Sequence, residues 1–189
     1  ISDLPPLYSK DKINRGSDYL YTHSPNKIKS RYLSNYIIDS KIKGTLNHCS
    51  RSHMKKDLER YKWYAQWCIK NGKNPTILNL PEELKPAHKN QIRATKGKAV
   101  PFIDRFKVQR WDFPGTTVTA HISKDGHYYI HPDPKQNRSM TVREVARLQS
   151  FPDNYVFCGP RTEQYKQVGN AVPPLLSYVL AKSLKEILK

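Results

Sequence analysis

The chain has 189 residues, of which 37% are hydrophobic, and a formal net charge of +17. This length fits one domain, or one domain with a smaller module, and the low apolar content predicts a modest core and a surface that needs a partner. The excess of Lys and Arg favours a polyanionic partner, most often nucleic acid. An anionic membrane is the alternative, but no apolar run approaches spanning length and no amphipathic basic helix stands out, so no membrane partner is expected.

The cysteines are few and irregularly spaced: Cys49, Cys68 and Cys158. This spacing argues against a disulfide framework and favours a reducing, cytoplasmic setting. The first residue is Ile1 rather than methionine. We therefore expect the chain to be the tail of a longer protein, produced by truncation or by processing.

Residues 1–44 are interpreted as a loop-rich lead-in, because prolines and scattered charges interrupt them without a sustained period. A helical pattern begins after Ser50, and Gly72 stands where a C-terminal cap belongs. Apolar and aromatic residues recur in it at intervals of three and four, at Met54, Leu58, Tyr61, Ala65, Cys68 and Ile69. Its charged residues are interpreted as solvent-exposed side chains: Arg51, Lys55, Lys56, Arg60 and Lys62.

A β-hairpin is predicted over Gly115–Ile122 and His127–His131. The first segment alternates β-branched residues, and the second, "HYYIH", is aromatic. Between them, Asp125-Gly126 is a strong signal for a tight turn.

The block "RSMTVREVARLQSFPD", residues 138–153, predicts a short capped helix. Thr141 and Glu144 form a Thr-x-x-Glu capping box, so the helix should begin at Val142, and Pro152 should stop it. The side chains expected to face inward are Val145, Ala146 and Leu148. Arginines beside a helix N-terminus can also bind phosphate, and this block contains Arg138, Arg143 and Arg147.

The last block, "QYKQVGNAVPPLLSYVLAKSLKEIL", predicts a polar turn at Gly169-Asn170 followed by a helix. Pro173 or Pro174 fits the first helical turn, where a missing N–H costs little. The helix has one apolar stripe that must pack on a core, formed by Leu175, Leu176, Val179, Leu180, Leu184, Ile187 and Leu188. A Gly-Asn pair by itself indicates only a turn into a terminal helix.

Taken together, these two blocks strongly resemble motifs nine and ten of the DNA (cytosine-5) methyltransferases, in order, in spacing and in the string "GNAVPP". The opening "ISDLPPL" is similar to the segment after motif eight, and "TTVTAHISKDGHYYIHP" is similar to part of the target recognition region. The strong resemblance covers about the last third of the chain. The middle matches in arrangement more than in motif.

The resemblance implies roles for individual residues. Arg138 would contact a DNA phosphate, Arg143 and Glu144 would form an internal scaffold, and residues 149–152 a packing corner. The recognition segment would contact double-stranded DNA, with candidate residues Thr117, Val118, His121 and Lys124. Asn170 and Ala171 would line the S-adenosylmethionine pocket. The terminal helix would then pack on an α/β catalytic domain.

The family's chemistry also requires groups that this sequence lacks. Its nucleophile is a cysteine thiolate after proline that attacks a flipped cytosine, and no Pro-Cys pair occurs here. The glycine-rich cofactor loop and the catalytic Glu-Asn-Val string are also absent. Cys68 lies on the apolar helix face and Cys158 in a loop, so no catalytic residue is assigned and the chain alone should be inert.

One cluster, "NHCSRSH", could begin a zinc site with His48, Cys49 and His53. Its spacing fits no common structural zinc pattern, and a fourth ligand is not apparent. Polar roles in a loop and at a helix start are therefore favoured, and no metal site is assigned.

The sequence thus predicts an α+β fold: a small irregular recognition domain with a hairpin and helices, then a helical segment that returns to a methyltransferase domain. The expected division is 1–44 lead-in, 45–137 target recognition domain and 138–189 motif nine and ten segment. The partners would be double-stranded DNA and a catalytic half or large subunit, with S-adenosylmethionine as cofactor. The alternative is a non-enzymatic DNA-binding module that retains these motifs for structure.

Overall fold

The computed structural model describes four stretches of the chain, residues 1–8, 30–42, 44–86 and 103–188. We number their α-helices in chain order: α1 (Lys55–Asn71), α2 (Val142–Leu148), α3 (Arg161–Asn170) and α4 (Pro174–Ile187). Shorter helical turns lie at Leu33–Ile37, Ile77–Asn79, Glu82–Leu84 and Ala120–Ser123. Within these stretches, no helix is long and apolar enough to cross a membrane.

Helix α1 confirms the helix predicted after Ser50. It ends at the expected cap, because Gly72 adopts the left-handed conformation (φ 64°) and its N–H donates to the Cys68 carbonyl. Only some of the residues predicted to face inward do so: Tyr61, Ala65 and Cys68 are buried, but Met54 and Ile69 are not. Met54 and Ile69 are 71% and 65% exposed, whereas the residues that pack inward include Tyr61, Tyr64, Ala65 and Cys68.

Arg60 departs from the expectation that the charges of α1 lie in solvent. It is buried and donates to the Asp57 carboxylate at 2.8 Å and to the Leu84 carbonyl at 2.7 Å. A buried charge is tolerated when it is paired and hydrogen-bonded. The pair therefore also joins α1 to the turn at Glu82–Leu84.

The hairpin predicted over Gly115–Ile122 and His127–His131 is not formed. Residues Ala120–Ser123 are a 3₁₀ turn instead, and the only β-pairing in the described stretches consists of isolated bridges. The α+β class is thus not confirmed, since the regular structure of the described residues is almost entirely helical.

The second segment of the expected hairpin is already paired on both sides. Ile130 forms a parallel bridge with Val108 and an antiparallel bridge with Ser139. The Gln109 N–H also donates to the Ile130 carbonyl at 2.9 Å. Because both edges are occupied, residues 115–122 cannot add to it, and tertiary pairing overrides local strand propensity.

Helix α2 confirms the capping box. The Thr141 hydroxyl accepts from the Glu144 N–H at 3.2 Å, and the Glu144 carboxylate accepts from the Thr141 N–H at 2.7 Å. Val145 and Ala146 are fully buried, as predicted. Leu148 is 37% exposed, so its inward orientation was predicted wrongly.

Most of the buried apolar residues in the described stretches form two clusters. The smaller contains Tyr61, Tyr64, Cys68, Ile77, Leu80, Phe106, Val108 and Ile130. The larger contains Val118, Ile122, Tyr129, Met140, Val142, Val145, Ala146, Phe151, Phe157, Tyr165 and Val168. The larger cluster draws residues from both sides of the division expected at residue 137, and the domain limits remain a prediction.

Helix α4 begins as predicted, with Pro174 at its first position. Its apolar stripe lies in solvent: in the described part of the chain no residue of α4 is buried, and Leu184 and Ile187 are 57% and 78% exposed. An exposed apolar helix face of this kind is typical of an interaction surface.

Replacing Leu184 by Ala should change the free energy of unfolding of this chain by less than about 0.5 kcal/mol, because the side chain is already exposed. The matched change in the core, Val145→Ala, should lower it by about 1–3 kcal/mol. Urea denaturation followed by circular dichroism measures both. A loss above about 1 kcal/mol for Leu184→Ala would mean that α4 packs on this chain itself.

Candidate nucleic-acid and cofactor interface

Two core side chains hold the segment around Thr117 in place. The Tyr129 hydroxyl donates to the Thr117 carbonyl at 2.9 Å and accepts from the Thr119 N–H at 3.1 Å. Just before it, the Thr116 N–H donates to Gln109 Oε1 at 2.9 Å, and Gln109 Nε2 donates to the Thr116 hydroxyl at 3.0 Å. These bonds satisfy backbone groups that a strand would have paired, so an irregular segment has a defined shape.

The residues predicted to contact DNA fall into two groups. Thr117, His121 and Lys124 are exposed on this one segment. Val118 is only 5% exposed and belongs to the larger core cluster. The backbone of the segment is thus anchored by Val118 while its neighbours present a hydroxyl, an imidazole and an ammonium group to solvent.

Helix α3 packs across this segment, and Gly169 lies at the contact. A Cβ at this position would lie 2.4 Å from the Ala120 nitrogen and 2.4 Å from the Thr119 carbonyl carbon. No side chain fits such a gap, so glycine is required here for space. The turn predicted at Gly169-Asn170 is wrong, because both residues belong to the last turn of α3.

Helix α3 itself has no counterpart in the sequence prediction. A glycine inside a helical pattern commonly has a packing reason, and this was the available signal for Gly169.

Asn170 and Ala171 follow this contact directly. Asn170 ends α3 with an exposed side chain, and Ala171 is half-buried, with its N–H donating to the Val168 carbonyl at 3.3 Å. An exposed amide can donate and accept, and a small neighbour leaves room for close approach. An exposed amide beside a small residue can form one polar edge of a small-molecule site.

A buried ion pair joins Arg138 to Glu144, in the first turn of α2. Arg138 donates to both carboxylate oxygens of Glu144 at 2.7 Å, and both side chains are at most 1% exposed. Burial by itself would raise the pKa of the Glu144 carboxyl, but the Arg138 guanidinium outweighs it and holds that pKa well below its usual range. The pair is therefore charged and internal.

The prediction that Arg138 contacts a DNA phosphate does not fit this geometry. Its guanidinium is 0% exposed and also donates to the Leu7 carbonyl at 3.0 Å and to Gln136 Oε1 at 2.6 Å. All of its nitrogens are used inside the protein, so it acts as scaffold together with Glu144.

Arg143 and Arg147 extend this scaffold. Arg143 is fully buried and donates to backbone carbonyls of Leu46 and Tyr155 at 2.8 and 2.7 Å, which confirms its internal role. Arg147 lies between two carboxylates, donating to Asp153 at 2.6 Å and to Asp3 at 2.7 Å. None of the three arginines of this block is exposed.

The histidines of the possible zinc cluster make polar contacts instead. His48 Nδ1 lies 2.9 Å from the Thr141 hydroxyl, and His53 Nε2 accepts from the Ser139 N–H at 3.2 Å. No group of three or more His, Cys, Asp or Glu side chains suited to a metal ion is found among the described residues.

Asn47 is a structural residue that the sequence did not reveal. Its Nδ2 donates to the Phe157 carbonyl at 2.9 Å, and its Oδ1 accepts from the Phe157 N–H at 3.0 Å. Asn47 adopts a left-handed backbone (φ 59°), which asparagine tolerates better than most residues.

Cys68 is unsuited to nucleophilic chemistry. Burial raises the pKa of its thiol to about 11, and its Sγ donates to Asn74 Oδ1 at 3.3 Å. A thiol with so high a pKa is protonated at neutral pH and is a poor nucleophile. Cys158 is exposed, in the loop before α3.

The profile of the C-5 cytosine-specific DNA methylase family matches residues 8–186, and the chain belongs to this family. It is 46% identical over its whole length to the type II methyltransferase M.Bpa9945I of Bacillus paralicheniformis. It is 33% identical over 97% of its length to M.DdeI of Desulfomicrobium norvegicum. It is also 33% identical over its whole length to DNA (cytosine-5)-methyltransferase 4 of Arabidopsis thaliana.

The chain spans only part of these relatives. It covers 40% of M.Bpa9945I, 41% of M.DdeI and 12% of the plant protein. The match of the family profile over residues 8–186 confirms the family membership inferred from the two motif blocks.

Replacing Arg138 by Ala should lower the free energy of unfolding by about 3–5 kcal/mol, because Glu144 would be left buried and unpaired. Lys135→Ala, at an exposed neighbouring position, is the control and should have little effect. Thermal unfolding of the two variants checks this. A stable Arg138→Ala protein with weakened DNA binding would instead restore the phosphate-contact prediction.

The chain should lose stability as the pH falls from about 6.5 to 4, since burial lowers the pKa of both His131 and His53 to about 4. In this window the unfolded state binds more protons than the folded state, so the free energy of unfolding decreases with decreasing pH. Each histidine contributes at most about 1.4 kcal/mol per pH unit. Urea denaturation at several pH values should show a smaller slope for His53→Gln. An equal slope for parent and variant would contradict the lowered pKa of His53.

Proposed function

We propose that this chain is the DNA-recognition and cofactor-pocket-closing part of a DNA (cytosine-5) methyltransferase of a restriction-modification system. The observation that carries the proposal is the contact at Gly169. On one side of it lies the segment that exposes Thr117, His121 and Lys124, and on the other lies Asn170. One helix end thereby joins a surface suited to DNA with a polar edge suited to a small cofactor.

The DNA side of the proposal rests on charge and on the exposed side chains. A formal net charge of +17 favours association with duplex DNA, weakening as salt rises. Hydroxyl and imidazole groups at Thr117 and His121 can hydrogen-bond base edges, whereas Lys124 suits a phosphate. The relatives named type II methyltransferases support a restriction-modification role.

The cofactor side rests on Asn170 and Ala171. S-adenosylmethionine, when bound, would supply the methyl group. The part of this chain is to orient the cofactor along the edge that Asn170 forms and to cover it with the end of α3.

The nucleophile of the proposed enzyme has to lie outside this chain. No Pro-Cys pair occurs in the sequence, and the thiol of Cys68 is held protonated by burial. We propose that the catalytic portion covers the exposed stripe of α4, whether it belongs to the same polypeptide or to a large subunit. Leu180 and Leu184, which are 52% and 57% exposed, would lie in that contact.

The purified chain should transfer no methyl groups to DNA, whereas a chimera in which it replaces the matching part of M.Bpa9945I should do so. The change Leu184→Asp should abolish transfer by the chimera without unfolding the isolated chain, because it places a charge in the proposed apolar contact. Incorporation of labelled methyl groups measures transfer. A chimera that binds DNA tightly but never methylates it would favour the non-enzymatic DNA-binding module.

In the chimera, His121→Ala should weaken binding to the preferred site by about 1–3 kcal/mol and leave other sequences unaffected, as expected for a base contact. Lys124→Ala is the matched control and should weaken binding to all sequences while reducing the salt slope by about one. Fluorescence anisotropy with cognate and scrambled duplexes at several salt concentrations separates the two. Equal losses on both duplexes for His121→Ala would remove it from base recognition.

A further inference from the structure

Gln149 and Ser150, at the C-terminal end of α2, bond to opposite sides of the bend between α3 and α4. Gln149 Nε2 donates to the Val168 carbonyl at 3.3 Å, in the last turn of α3. Ser150 Oγ accepts from the Leu175 N–H at 3.0 Å, in the first turn of α4. Both residues are buried, at 8% and 7% exposed, so solvent competes little for these bonds.

The start of α4 depends on an acceptor from outside the helix. Pro173 and Pro174 have no N–H, so Leu175 is the first residue of this segment that can donate. The N-cap position is Pro173, whose side chain cannot accept a hydrogen bond. Ser150 therefore supplies, from a distant part of the chain, the acceptor that a local cap usually provides.

Gln149 acts on the other side of the bend. The Val168 carbonyl that accepts from Gln149 also accepts from the Ala171 N–H at 3.3 Å. A carbonyl oxygen can accept two such bonds. Gln149 thus fixes the group that holds Ala171, and with it the direction in which the chain leaves Asn170.

The backbone at Ser150 is consistent with a requirement for its hydroxyl. Ser150 has φ 61°, in the left-handed region that favours glycine. The residues after Ser150 are held in place, because the Phe151 N–H donates to the Ala146 carbonyl at 2.9 Å and Asp153 pairs with Arg147 at 2.6 Å. A strained serine at a fixed place is expected where the side chain is needed.

We propose that Gln149 and Ser150 are positioning residues for the cofactor: they clamp both ends of the bend and so set Asn170 and Ala171 in the orientation that S-adenosylmethionine requires. The inference rests on the proposed function and deepens it by assigning the control of cofactor affinity to two residues that do not touch the cofactor. They act through the bend alone.

The test compares three substitutions in the chimera. Gln149→Met keeps the length of the side chain and removes its donor, and Ser150→Gly removes the hydroxyl while easing the left-handed backbone. Gln167→Met is the matched control, because Gln167 lies on the exposed face of α3 and donates to the Cys158 carbonyl at 3.0 Å. Asn170→Ala reports separately on the cofactor role of the bend itself.

Equilibrium titration with S-adenosylmethionine should show about three- to tenfold weaker binding for Gln149→Met and Ser150→Gly, from the loss of one buried hydrogen bond each. The dissociation constant for DNA and the kcat at saturating cofactor should stay within about twofold, and Gln167→Met should match the parent. In the chain itself, the amide hydrogen of Leu175 should exchange faster in Ser150→Gly.

Equal losses for cofactor and DNA, or unchanged exchange at Leu175, would overturn the inference and leave the two residues as packing only. If Asn170→Ala weakens cofactor binding but neither Gln149→Met nor Ser150→Gly does, this inference fails while the proposed function stands. If Asn170→Ala has no effect on cofactor binding, the cofactor role of the bend fails, and this inference fails with it.

Discussion

The rest of the structure depends on the buried ion pair between Arg138 and Glu144. Glu144 accepts from both terminal nitrogens of the Arg138 guanidinium and from the N–H of Thr141, so one carboxylate both caps α2 and neutralises the arginine. The same guanidinium binds the Leu7 carbonyl and Gln136. Since a buried charge without its partner is costly, these segments are constrained to meet at one place.

This constraint extends to the candidate site through α2. The helix begins beside the ion pair. Gln149 and Ser150, the two residues that follow its last residue, bond to the helices on either side of the bend at Asn170. On its other side, the last turn of α3 contacts the segment after Thr117. The DNA-facing and cofactor-facing surfaces that we propose are therefore parts of one connected framework.

The arginines in and before α2 show that a sequence motif does not by itself tell which partner a side chain contacts. Arginines beside a helix N-terminus suggest a phosphate site, because that combination binds anions in many proteins. In this chain the positive charges face inward, toward Glu144, Asp153 and backbone carbonyls. Within residues 117–124 the exposed lysine is Lys124, which the sequence predicted to contact DNA because this segment resembles the target recognition region.

Local signals in the sequence predicted helix α1 with its left-handed cap at Gly72, the capping box of α2 and the proline start of α4, because each depends on residues within one or two turns. The two motif blocks also identified the family. The sequence likewise placed Thr117 and His121 at the surface that we assign to DNA, although it predicted that both lie in a strand of a β-hairpin, which is not formed.

Only the tertiary structure decided the features that depend on residues far apart in the chain. The hairpin fails because Val108 and Ser139 occupy both edges of the segment at Ile130. Gly169 is required because the backbone of Ala120 passes 2.4 Å from where a Cβ would lie. Hydrogen-bonding edges and close backbone approaches are properties of spatial neighbours, and no spacing along a single sequence specifies which neighbours will arrive.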